Sequence, residues 1–182
     1  MTNVALVERA RTGDREAFDV LATSLVDRLF ALARLILRDA DRAEDATQET
    51  LVRCWRDLPT LRDVERFDAW LNRLLMHAIH DEFRAKRRHD ANVRILHLEP
   101  AVADPSGALA LREELQRGFE RLTVEHRAVL VLRLYVGLSI EETANTLGIP
   151  AGTAKSRLHY ATEAMRLALE ANAGQAVGEV SA

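Results

Sequence analysis

Apolar residues recur along most of this chain at the three-and-four spacing that draws one stripe along an α-helix. The clearest case follows Gly13. There Asp14 is placed to cap a helix reaching about Arg38, with Phe18, Leu21, Leu25, Leu29, Leu32 and Ile36 on one side. Asp41 with Glu44 three residues later resembles a capping box, opening a second helix that sends Ala43, Thr47, Leu51, Cys54 and Trp55 toward a core. Leu58-Pro59 ends that helix, because proline disfavours helical geometry at the residue before it. Residues 60–66 read as a loop or short turn. A third amphipathic helix then spans residues 67 to about 88, with Trp70, Leu71, Leu74, Ala78 and Phe83 facing inward.

The period fails from Asp90 to Gly107, where Pro100, Asp104, Pro105, Ser106 and Gly107 have the composition of a flexible linker. Two more helices are expected over residues 108–122 and 124–136. The organisation that follows is a first domain at 1–89, a linker at 90–107, a second domain at 108–171 and a short tail at 172–182. Aromatic residues make up only 5% of the chain and glycine and proline are few, which weighs against sheets. The expected fold class is all-α, two small helical domains joined by a flexible linker.

The most informative stretch is Gly137 to Ala161, GLSIEETANTLGIPAGTAKSRLHYA. Ser139 and Glu142 form a second capping box, Ala144 is small where a crossing helix needs close approach, and Gly148 permits a tight turn. Ile149 fills the corner, and Pro150 suits a helix start because its missing N–H is no loss there. This is the spacing of a helix-turn-helix. Its second helix turns Ala154, Leu158, Ala161 and Met165 inward. Gly152, Lys155, Ser156 and His159 lie outward at i, i+3, i+4 and i+7, flanked by Thr153, Arg157 and Tyr160. Short residues at its N-terminal end let such a helix enter a major groove, where lysine and arginine reach phosphates or guanine edges.

A net charge of −3 does not advertise a nucleic-acid binder, but its distribution does more than its sum. Five acids (Asp39, Asp41, Glu44, Asp45, Glu49) stand against two bases between Arg38 and Thr50. Five bases (Arg84, Lys86, Arg87, Arg88, Arg94) stand against Asp90 alone between Arg84 and Arg94. Opposite blocks of this kind suit one surface to a basic partner and another to a polyanion. The single cysteine, Cys54, excludes an internal disulfide framework and reads as an inert core thiol. No apolar run reaches the roughly 18 residues of a membrane span, and the N-terminus lacks a secretory core, so no membrane insertion is expected and a cytoplasmic location is. No glycine-rich phosphate loop and no nucleophile–base pair stand out. No enzyme activity, cofactor or metal is therefore expected. His77 and His80, beside Asp81, read as solvated or near phosphate rather than as metal ligands.

These runs resemble the extracytoplasmic-function (ECF) family of RNA polymerase sigma factors. RAEDATQETLVRCWR, residues 42–56, resembles the family's region 2.2, and FDAWLNRLLMHAIHDEFR, residues 67–84, resembles regions 2.3 and 2.4. Residues 122–165, with GTAKSRLHYA, resemble region 4, and the motifs stand in the family's order. The resemblance implies a promoter-recognition subunit whose partners are the polymerase core (clamp and flap), promoter DNA and an anti-sigma factor. It implies that Asp41, Glu44, Asp45, Gln48, Glu49 and Arg53 dock on the clamp. Promoter −10 DNA would meet Arg66, Arg73, His77, His80, Arg84, Lys86, Arg87 and Arg88, with an unpaired base held by the loop at residues 61–66. The −35 element would meet Gly152, Thr153, Lys155, Ser156, Arg157, His159 and Tyr160. Trp70 lies in the apolar stripe and is expected to pack rather than stack on a base. Where relatives often carry an Arg-Asn pair, this chain has Met76 and His77, which removes a basic and an amide group from the −10 surface. A sigma-like decoy that sequesters an anti-sigma factor is the alternative reading. A stand-alone helix-turn-helix repressor would leave the acidic segment unexplained.

Overall fold

Helix starts in this protein are set by side chains that close the orphan N–H groups of the first turn. In the computed structural model, which describes residues 3–90 and 118–179, α1 (Val4–Arg11) opens on Asn3, whose Oδ1 accepts from Ala5 N at 3.1 Å. α2 (Arg15–Leu37) opens on Asp14, whose Oδ1 accepts from Ala17 N at 3.0 Å. That bond, with Arg9 alongside, holds the Asp14 carboxyl below the ordinary carboxylate range. α3 (Ala40–Asp57) opens on Asp39, which corrects the expected box at Asp41 and Glu44. Asp39 keeps an extended backbone and accepts from Arg42 N at 3.2 Å. Asp41 is already inside the first turn, where its charge suits the helix dipole but its backbone is helical. Two single 3-10 turns, Leu58–Thr60 and Val64–Arg66, lead into α4 (Phe67–Asp90).

The expected stripe of α2 is buried from Leu21 to Ile36, with Phe18 half-buried at its edge. α3 buries Ala43, Thr47 and Cys54 together with Ala46 and Thr50. The two threonines tolerate burial because each Oγ1 donates to the carbonyl one turn back, on Ala43 and Ala46, at 2.6 Å. Trp55 departs from expectation and is 39% exposed. Cys54 takes the inward position, and the next residue, about 100° further round the helix, falls outside it. Trp55 lies instead against Phe18, ring centroids 4.8 Å apart. In α4 the buried face is Phe67, Leu71, Leu75, Met76, Ala78 and Ile79, while Trp70, Leu74 and Phe83 are half-buried.

Beyond α4, the expected linker from residue 91 and the helix at 108–117 lie outside the described residues; 118–120 are helical. α5 (Val124–Leu130) is capped by Thr123. It was expected to continue unbroken to Val136, but Val131–Tyr135 is a π turn in which Val136 N donates to Val131 O at 3.0 Å. The wider turn buries Val131 and Leu132 and turns Leu134 and Tyr135 outward. α6 (Ile140–Leu147) and α7 (Ala151–Glu179) follow, and the α7 backbone is helical over residues 172–179 of the expected tail; residues 180–182 lie outside the described residues.

α1–α4 form one packed group, with α2 against α1, α3 and α4, and α5 and α6 pack on α7. The two groups also meet each other. α6 packs against α4, and α5 with the π turn packs against α2. Val124, Ala128, Val131 and Leu132 thereby join the same apolar cluster as Leu21, Leu29, Ile36 and Leu75. Leu122, Leu130 and Ala161 hold a second, smaller cluster. Arg38 Nη2 reaches Glu120 Oε1 across the seam at 2.8 Å. Arg127 shares the face of α5 that carries Val124, Ala128 and Val131; it is buried, and its Nε has no hydrogen-bond partner.

Candidate nucleic-acid interface

Three surfaces carry the residues singled out from the sequence. The first is the outer face of α3, where Asp41, Glu44, Asp45, Gln48 and Glu49 are all exposed because Ala43, Ala46, Thr47 and Thr50 occupy the inner face. Gln48 Nε2 donates to Glu44 Oε1 at 3.4 Å. Arg53 is half-buried and clamped, Nη2 to Asp81 Oδ2 at 2.9 Å and Nε to Glu49 Oε1 at 2.6 Å. Those two carboxylates raise its proton affinity and fix its guanidinium in the plane of the surface. Glu82 lies behind this face, and burial, with the like charge of Asp45 next, pushes its carboxyl above the ordinary range. Neither Asp81 nor Glu82 was assigned to this surface from the sequence; they come from α4 and reach α3 only through the packing of the two helices. Cys54, beneath, is fully buried, and burial pushes its thiol up to about 12.

The second surface is the entrance to α4. Arg11 Nη1 donates to Leu61 O at 3.1 Å and Asp63 caps the turn before the helix, so the loop at 61–66 is held from both ends. Phe67 is buried beneath it, and Trp70 stands half-buried beside Phe67, ring centroids 5.9 Å apart. Trp70 therefore packs, as expected, but it also lines a cleft of about 610 Å3 with Leu61, Arg62, Arg66 and Arg73. Arg62 is an addition to the anticipated set. Arg66 is paired to Asp63 at 3.1 Å and remains widely exposed. From Arg73 the stripe continues through His77, His80 and Arg84, all exposed, with Lys86 half-buried. Arg87 and Arg88 lie on the α4 backbone, and their side chains are outside the described residues. Met76 is buried, so at that position the chain invests in core rather than surface.

The third surface is the helix-turn-helix. Arg133 Nη1 donates to Leu138 O at 2.9 Å and steadies the turn at Gly137. The Ser139 box is complete: Glu142 N donates to Ser139 Oγ at 3.1 Å and Ser139 N to Glu142 Oε2 at 2.7 Å. The hydrogen bond from the Ser139 backbone holds the Glu142 carboxyl below its ordinary range. α6 closes in a Schellman motif, with Gly148 at φ 65°, its N–H on Asn145 O and the Ile149 N–H on Ala144 O at 3.0 Å. This geometry aims α7 so that Ala154 and Ala161 are buried while Gly152, Lys155, Ser156, His159 and Tyr160 are exposed. Thr153 and Arg157 are half-buried at the margins. The first two turns of α7 thus present short residues, Gly152, Thr153 and Ser156, beside the bases Lys155 and Arg157, an edge suited to phosphates and base edges.

Residues 21–89 match the family model of Sigma-70 region 2, and residues 118–167 match that of Sigma-70, region 4. The RNA polymerase sigma-H factor of Pseudomonas aeruginosa is 30% identical over 179 residues, covering 91% of this chain and 92% of the relative. The ECF RNA polymerase sigma factor SigL of Mycobacterium tuberculosis is 36% identical over 146 residues, covering 78% of this chain and 82% of its own. The chain belongs to the ECF RNA polymerase sigma factors. Among solved structures, this sigma factor is similar to CnrH in complex with the cytosolic domain of CnrY, with a TM-score of 0.64 and 25% identity over 94% of this chain and 99% of that one. The fold is also that of the sigma factor RpoE in complex with the anti-sigma factor NepR from Bartonella quintana, with a TM-score of 0.70 and 24% identity over 84% of this chain and 96% of that one. In the sigma factor described here, region 2 takes in α2, α3 and most of α4, and region 4 takes in α5, α6 and the recognition part of α7. No helix among the described residues is long and apolar enough to cross a membrane.

Proposed function

We propose that this sigma factor docks on the polymerase core through the outer face of α3, meets the −10 element with the 61–66 loop and the exposed stripe of α4, and meets the −35 element with α7. The observation that carries this reading is the division of surfaces. One helix face collects carboxylates, and two others, on separate structural groups, collect bases, one around half-buried Trp70 and one beside exposed Gly152, Ser156 and Tyr160. Acidic residues on α3 suit electrostatic steering toward a basic coiled coil on the clamp. Arg73, His77, His80 and Arg84 are spaced to follow the phosphates of a single strand, and the arginines and Trp70 of the cleft suit an extruded base. Lys155, Ser156, Arg157 and His159 suit a major groove. The polymerase supplies the chemistry, and this subunit supplies the address, working in the cytoplasm under the control of an anti-sigma factor.

The test is run-off transcription with core polymerase lacking any sigma factor, on a pooled genomic promoter library, with transcripts sequenced at their 5′ ends. Discrete starts sharing spaced −35 and −10 elements are expected. Core binding without specific starts would move the protein to the sequestering role, and no core binding would refute the docking of α3.

A further inference from the structure

We infer that this sigma factor grips promoter DNA more tightly as the pH falls, because histidines on both of its DNA-facing surfaces add positive charge against phosphates only when protonated. His77 and His80 do so at the −10 element and His159 at the −35 element. The inference rests on the roles proposed above for α4 and α7.

Of the four histidines whose side chains are described, three, His77, His80 and His159, stand exposed on those two surfaces, and the fourth, His126, is half-buried on α5. The α3 face proposed for the polymerase core has none among Asp41, Glu44, Asp45, Gln48, Glu49 and Arg53. On α4, His77 follows Arg73 by one turn and His80 precedes Arg84 by one; on α7, His159 follows Lys155 by one. Each surface thus sets permanent charge beside charge that changes between about pH 5 and 8. None of the three imidazoles makes a hydrogen bond or ion pair among the described residues, and His159 has a ring contact with Tyr160, centroids 5.8 Å apart. An imidazole already held by a carboxylate would keep its proton across the neutral range and respond little.

The neighbouring charges are engaged elsewhere. Beside His77 and His80, α4 places Arg73, Asp81 and Arg84, and Asp81 is taken by Arg53 of α3, which also pairs with Glu49. α6 brings Glu142, which accepts from the Ser139 backbone. At the head of α4, Arg66 pairs with Asp63 and Arg28 of α2 with Asp68. Beside His159, α7 places Lys155, Glu163 and Arg166, the last two paired with each other. The helices packed against it add Glu141 and Glu142 from α6, and Glu125, His126 and buried Arg127 from α5. A histidine beside a phosphate holds its proton to higher pH than one in water, so binding draws protons in. Its contribution is full below the ordinary histidine range and is lost as pH rises through the value set by the phosphate. The net charge of −3 counts histidines as neutral, and protonation of all six would reverse its sign, so the same step eases the general repulsion between subunit and promoter.

The experiment uses holoenzyme assembled from the full chain and core polymerase, on a promoter fragment identified by the run-off test. Complex formation is followed by fluorescence anisotropy at about pH 6 and about pH 8, each across a range of salt. The parent should bind roughly tenfold or more tightly at the lower pH. Its plot of log affinity against log salt should also be steeper there, by roughly one for each histidine that meets a phosphate. The triple variant His77→Gln, His80→Gln, His159→Gln should keep a pH difference of roughly twofold or less and lose the change in slope. The matching triple substitution to arginine should lose the pH difference but show the steep slope at both pH values. His159→Gln alone and His77→Gln with His80→Gln divide the effect between the two elements. Equal parent affinity at the two pH values overturns the inference. So does a pH difference that the glutamine triple keeps in full, which would place it in the polymerase. Loss of promoter binding by both triples at both pH values overturns it as well, because the imidazoles would then be structural. If the parent forms no specific complex at either pH, the promoter-reading role fails first and this inference with it.

Discussion

Arg127→Met removes a charge from the seam between the domains and leaves most of the side chain's volume in place. Burial, and then the neighbouring Arg38, bring the Arg127 guanidinium down to about 10, with Glu125 the opposing influence. Each tenfold step in proton affinity is worth about 1.4 kcal/mol, so holding the charged form in the seam costs on the order of 2–3 kcal/mol. Methionine keeps the apolar contacts of the stem and asks for no hydrogen bond. The variant should be more stable by about 1 to 2 kcal/mol, a rise in Tm of roughly 2–8 °C for a chain of this size. The sign against pH is fixed by the direction of the shift. A base whose folded pKa is lowered binds its proton more tightly when unfolded, so the penalty is full at every pH below about 10 and is relieved only above it. The gain should therefore be the same at about pH 6 and about pH 8. Thermal and urea denaturation of the full chain at both pH values would measure it. A variant less stable than the parent by about 1 kcal/mol or more would refute the reasoning, because it would mean that the guanidinium is held by favourable contacts.

Other outcomes follow from the same geometry. Ser139→Ala should destabilise region 4 by about 1 kcal/mol, read as a lower urea midpoint for region 4. The Glu142 half of that box has a lowered pKa, so its support is full above the ordinary glutamate range and is lost as pH falls through the folded value; acid titration followed by circular dichroism should show α6 loosening on that side only. Gly148→Ala should cost about 1 kcal/mol from the backbone alone, since a Cβ there meets nothing within 4 Å while φ is 65°. Cys54 should resist a thiol-specific dye at about pH 8 in the folded protein and react at once in denaturant, and native labelling at the denatured rate would contradict its burial. Asp45→Arg should weaken core binding roughly tenfold, chiefly through a slower, salt-sensitive association, as surface plasmon resonance would show.

Much of this was legible along the chain because local rules and tertiary packing agree. The caps at Asp14 and Ser139 and the turn at Gly148 each depend on residues within one helical turn, and the stripe of α2 depends on period alone. The helix-turn-helix was readable to the residue for that reason. The errors fall where two local solutions compete. Asp39 and Asp41 both suit a cap, and the extended backbone after the left-handed Arg38 decides for Asp39. Cys54 and Trp55 are adjacent on a helix, and only one of them can face inward. α1 went unread although Asn3 caps it and Val7 and Ala10 supply its buried face, because two inward residues in two turns make a weak pattern. The partners of Arg53 and the cleft at Arg62 depend on how helices far apart in sequence meet, and no spacing announces that. The same holds for the seam, since nothing in α5 taken alone says that its apolar face belongs to the core of the other domain.

The π turn at Val131–Tyr135 stands between α5 and the helix-turn-helix of α6 and α7. It acts as a phase setting. An extra residue in one turn rotates everything downstream relative to everything upstream, so a single deletion within Val131–Tyr135 would restore an ordinary helix and swing the reading head by about 100°. The packing of α6 on α4 would go with it, because Val131 and Leu132 sit in the cluster that joins the two groups. A lineage that altered the length of this turn would re-aim α6 and α7 without touching any residue of the recognition helix proposed for the −35 element.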